Sequence, residues 1–210
     1  MNASKAQDQT DLKNLLDSFI KTLTIPLPIL LTLIAAATVV SEDIPLAGAK
    51  LPRIAGVYLL FMFNGLLMWH VCRLALLIDK KIKVSREPSK PIATLTEDAS
   101  LLNPFFLAKA DGDWPSRFAS QTIFSLPRIS VGALLGFQFL MIFPPAQHIP
   151  ESLLALGALA AALHFGNLFA MLNIAGILWT HIGRIKSLSF IISYLVGGYA
   201  AYNVAITLGY

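Results

Sequence analysis

The apolar residues of this 210-residue chain gather into five long runs, residues 25–40, 54–78, 124–143, 152–180 and 188–208, and none of them contains an Asp or Glu. A helix rises 1.5 Å per residue, so about 20 apolar residues cross about 30 Å of hydrocarbon with every backbone group satisfied internally. The pattern predicts an all-α fold, a polytopic transmembrane bundle of five spans. The first run is short and is entered through Pro26 and Pro28, whose missing amides cost little at a helix start. The fourth is long enough to require tilt. With charged residues at only 13%, against about a quarter in soluble domains, no length remains for a separate soluble catalytic domain.

Residues 11–23 place Leu12, Leu15, Leu16, Phe19, Ile20 and Leu23 at helical spacing, with Asp11, Lys13, Asp17 and Lys21 opposite. This predicts an N-terminal amphipathic helix, lying on the membrane surface or on the protein's own inner loop. The chain then divides into an N-terminal segment, 1–24, two spans within 25–78, a membrane-hugging inner loop, 79–123, and three spans within 124–210. In that loop, residues 96–98 can cap a short helix, residues 103–107 are apolar enough to dip into the interface, and 113–115 read as a turn into a helix. Asp111 and Asp113 resemble a Mg²⁺ carboxylate pair only faintly. Pro144, Pro145 and Pro150 predict a tight hairpin between spans three and four, and Gly183 with Arg184 a tighter one before span five.

The formal charge of +4 is a matter of orientation rather than nucleic-acid binding. With the N-terminus inside, thirteen Lys and Arg residues fall on the inner side, Lys50 and Arg53 on the outer side, and Arg73 within span two. This bias alternates correctly through five spans and predicts an inner N-terminus and an outer C-terminus. The basic run Lys80, Lys81, Lys83 and Arg86 would face anionic lipid headgroups, and Arg73 would snorkel toward them. The setting is a bacterial inner membrane or an organelle inner membrane. The single cysteine, Cys72, excludes an internal disulfide.

Helices in lipid associate by close backbone approach, so small residues at spacing four mark interfaces. Span five carries the row Ser189, Ser193, Gly197, Ala201, Ala205 and Gly209, span four carries Ala158, Ala162 and Gly166, and span three carries Gly132 and Gly136. These rows would pack spans three to five as sequential neighbours, or the row on span five would face another subunit, of the same chain or a different one.

The intramembrane polar candidates are Asn64, His70 and Arg73 on span two and His164, Asn167 and Asn173 on span four. They would form a polar pathway between those spans or fix helix register by hydrogen bonds. The absence of an acidic residue from the spans argues against ion permeation and proton coupling. His70 and His164 could supply the two imidazoles of a haem b, although their depths differ. No other cofactor, metal site or catalytic constellation is indicated. The sequence therefore supports first a non-catalytic subunit of a larger membrane assembly, second a small oligomeric channel or transporter lined by Asn and His, and third a haem b electron-transfer subunit.

Overall fold

The computed structural model describes residues 2–38, 43–46, 49–107, 112–140 and 151–207. In chain order these form α1 (Asn2–Thr24), α2 (Pro26–Thr38), the antiparallel hairpin of β1 (Asp43–Leu46) and β2 (Ala49–Pro52), α3 (Arg53–Val84), α4 (Ser89–Glu97), α5 (Trp114–Leu140), α6 (Leu154–Ile177) and α7 (Arg184–Thr207). A 3₁₀ turn, Glu151–Leu153, leads into α6, and a π-turn, Leu178–Ile182, leads out of it. The described residues are thus helical apart from turns and one small hairpin, which the sequence did not announce. The prolines at 144, 145 and 150, together with Asp111, Gly209 and the Ala205 side chain, lie outside the described residues.

Four helical stretches are long and apolar enough to cross a membrane, Thr10–Thr32, Ile54–Val84, Trp114–Leu140 and Glu151–Ile182. α7 has the length, 24 residues, but Ser187, Ser189, Ser193, Asn203 and its tyrosines dilute its apolar character. The first stretch differs from the expected span at 25–40. α2 has only 13 residues, about 20 Å of rise, and the rest of the stretch belongs to α1.

α1 buries Leu12, Leu16, Phe19 and Leu23 in the main core, while Asp11, Lys13 and Lys21 are exposed. Its apolar stripe is covered by α3, α4 and the segment after α4, not left for a membrane surface. Phe19 meets Phe105 with ring centroids 5.7 Å apart. Within residues 103–107, Asn103 and Phe105 are fully buried in protein, while Phe106 and Leu107 are partly exposed. Asn103 holds the segment in place, donating from Nδ2 to the carbonyls of Leu95 and Asp98 at 2.8 Å each and accepting from the Phe105 amide at 3.0 Å. The expected loop at 79–123 is largely helical, since α3 continues to Val84, α4 ends at Glu97 with Asp98 as its C-cap, and α5 begins at Trp114. Residues 96–98 thus cap a short helix, at its C-terminal end. The Asp113 carboxylate accepts from the Ser116 amide at 3.3 Å, which caps the first turn of α5.

Two helix pairs dominate the packing, α3 with α6 and α5 with α7. Spans three, four and five are therefore not packed as sequential neighbours. The register shows that each pair runs parallel. Along α3 and α6, Tyr58 meets Gly157, Trp69 meets Phe169, Cys72 meets Asn173 and Asp79 meets His181. Along α5 and α7, Gly132 meets Phe190 and Ser193, and Gly136 meets Tyr194 and Gly198. Absent side chains permit both contacts. A methyl group on Gly65 would lie 2.7 Å from the Leu163 carbonyl, and one on Gly166 would lie 2.8 Å from the Trp69 amide nitrogen. Methyl groups on Gly136 and Gly197 would collide with the carbonyl oxygens of Tyr194 and Ala133. At Gly183, φ of 140° lets the chain turn from the π-turn directly into α7.

Candidate functional site

α6 joins the two pairs. It lies along α3, reaches α5 where Asn167 Nδ2 donates to the Leu135 carbonyl at 3.1 Å, and accepts at the Ala175 carbonyl from the Ser187 hydroxyl of α7 at 2.9 Å. His164 stands one turn before Asn167, on the same face, with its ring 5.6 Å from that of Phe139 on α5. Phe139 in turn lies 6.2 Å from the Tyr194 ring of α7. Gln138 precedes Phe139, and Asn64 precedes Gly65, which sits against Leu163. One layer of the bundle therefore gathers Asn64 from α3, Gln138 from α5, His164 and Asn167 from α6 and Tyr194 from α7.

These side chains are buried, with relative exposures of 4% for Asn64, 3% for Gln138, 2% for His164, 0% for Asn167 and 7% for Tyr194. Each leaves hydrogen-bonding capacity unused. Asn64 Oδ1, both amide atoms of Gln138, both ring nitrogens of His164, Asn167 Oδ1 and the Tyr194 hydroxyl have no partner among the described residues. A buried polar group without a partner costs about 1–3 kcal/mol, and native interiors pair nearly all such groups with protein or ordered water. The set offers donors and acceptors but no carboxylate and no lysine or arginine.

The predicted site residues divide across the structure. His164 and Asn167 share a face of α6 that meets α5, and Asn64 lies at the same level on α3. His70 does not join them, because it lies on the exposed face of α3. With His164 buried against Phe139, the two histidines do not face one another as haem ligands would. Arg73 is exposed. Asn173 faces α3, its amide 3.2 Å from Cys72 Sγ and 2.8 Å from the Phe169 carbonyl. Gln138 and Tyr194 were missed as site members. A lone glutamine in the apolar run Leu134–Leu140 is the available signal.

The small-residue rows divide as well. Gly132, Gly136, Ser193, Gly197 and Ala201 are buried, and Gly132, Gly136, Ser193 and Gly197 make contacts across the α5–α7 seam. Ser189 is half-buried, Gly166 meets α3, and Ala158 and Ala162 are exposed. At the end of α3 that carries its basic run, Asp79 ties the helices together, accepting from Lys83 at 2.5 Å and lying 3.0 Å from His181 Nε2. Among the described residues no group of three or more His, Cys, Asp or Glu is placed to hold a metal ion. Compared with models of known families, with curated proteins and with solved structures, the chain matches none.

Proposed function

We propose that this chain is a multi-pass membrane protein of the channel or transporter class, passing a small uncharged polar solute through the layer formed by Asn64, Gln138, His164, Asn167 and Tyr194. The observation that carries this reading is the set of buried, unpartnered polar atoms contributed by four helices. A purely structural layer would satisfy its own hydrogen bonds. A layer built around a solute leaves complementary donors and acceptors open to it. The lack of a carboxylate favours neutral solutes over cations.

The reading takes five crossings with an inner N-terminus. The parallel pairs support it, because α3 and α6 would both run inward and α5 and α7 both outward, as alternation requires. The membrane is a bacterial or organelle inner membrane, with the basic ends toward anionic headgroups. Assembly with other subunits is the second reading. The α7 row, its strongest sequence feature, already faces α5, so a partner would meet the opposite face, where Leu195, Val196, Tyr199 and Tyr202 are exposed.

The test is solute-driven swelling of liposomes containing the purified protein, with urea, glycerol and formamide as probes and K⁺ as the ionic comparison. At least one neutral probe should enter faster than into protein-free liposomes, and His164→Leu and Asn167→Leu should each remove that excess. Neutral-probe rates equal to those of protein-free liposomes, or unchanged in both variants, would sink the proposal.

A further inference from the structure

Arg128 is 5% exposed on α5, one turn before the first close contact with α7. Its Nε donates to the Pro104 carbonyl at 3.2 Å and its Nη2 to the Phe106 carbonyl at 3.1 Å, so the guanidinium clamps the segment after α4 onto the bundle. Nη1 has no partner among the described residues. The parallel register of α5 and α7, in which Gly132 meets Phe190, brings Lys186 to the level of Arg128, one turn earlier on each helix. Burial and that adjacent positive charge hold the Lys186 pKa below its ordinary value. Neither cation forms an ion pair among the described residues. Two cations at one level in a partly dehydrated setting repel one another and have no counterion among the described residues, and a buried charge is normally paired.

The level in the membrane indicates the counterion. Lys186 lies just past the turn at Gly183, beside Arg184, which stacks over the Trp179 ring at 5.5 Å. Tryptophan and basic residues together mark the headgroup level. The anions found there are phosphates, and a guanidinium with a free edge beside an ammonium suits a phosphate's several oxygens. We propose that Arg128 and Lys186 form a binding site for a phosphate group at the inner membrane surface, held against the segment that Arg128 clamps. The site does not depend on the polar layer or on what that layer carries.

The experiment uses the full chain in nanodiscs with phosphatidylglycerol as the first probe and in neutral detergent with inorganic phosphate as the second. Lys186→Gln leaves the clamp of Arg128 on Pro104 and Phe106 intact, so the variant should fold. Lys13→Gln, exposed on α1, is the charge control. Retention of phosphatidylglycerol, read by native mass spectrometry, should fall about tenfold in Lys186→Gln and stay unchanged in Lys13→Gln, as expected for the loss of one charge-assisted contact. If inorganic phosphate does not displace the lipid, the group belongs to a headgroup. If inorganic phosphate binds to the wild type about tenfold more tightly than to Lys186→Gln and displaces the lipid, the site serves free phosphate. Equal behaviour of Lys186→Gln and wild type toward both probes would overturn the proposal.

Discussion

Polar side chains hold this membrane protein in register only where their hydrogen bonds are complete, and Asn103 is the clearest case. Its three bonds join the end of α4, the turn after it and the segment that covers α1. Asn103→Ala removes all three and strands the Leu95 carbonyl in the core, which should cost about 3 kcal/mol. The thermal midpoint in detergent measures this, and a midpoint within experimental error of wild type would show that the cap is held by other contacts. The layer around His164 is the opposite case, because its bonds are unfinished. Asp79 reaches His181, and Arg128 reaches the Pro104 and Phe106 carbonyls, across long stretches of sequence, and neither contact could be read from spacing.

At the scale of elements, glycine decides which faces meet. The rows on spans four and five look alike in sequence, yet Gly197 presses against the Ala133 carbonyl while Ala158 is exposed. Gly197→Val should destabilise the protein by about 1–3 kcal/mol, the usual range for overpacking a close contact. Ala158→Val should leave the thermal midpoint unchanged. Equal effects of the two substitutions would contradict the assignment of the α5–α7 seam. The sequence made these rows visible because small residues recur every fourth position, but periodicity names a face and not its neighbour. It could not reveal that α5 packs on α7 with α6 displaced toward α3. The stripe Leu12, Leu16, Phe19 and Leu23 was legible for the same reason. What covers it was not, because lipid and the apolar side of α4 impose the same pattern. The layer was only partly legible, since His164 and Asn167 interrupt an apolar run conspicuously whereas Tyr194 can anchor, pack or bind.

Across the whole molecule, the design is two parallel helix pairs joined by α6, with α1 and α4 capping the end where α3 projects beyond the bundle. α3 has 32 residues, about 48 Å of rise, which exceeds the hydrocarbon thickness and leaves its last turns to anchor the cap. α6 is the only helix in extensive or hydrogen-bonded contact with α3, α5 and α7 among those described, and it supplies both His164 and Asn167 to the layer between them. A path through the layer would thus run along the junction of the pairs, where a small relative movement changes access most. An experimental density map of the protein in lipid nanodiscs, at a resolution that shows ordered water, tests this most directly. The account predicts non-protein density within about 2.7–3.2 Å of the His164 ring and Asn167 Oδ1, continuous with one membrane face. A dry layer in which Asn64, Gln138, His164 and Asn167 bond to one another would contradict it.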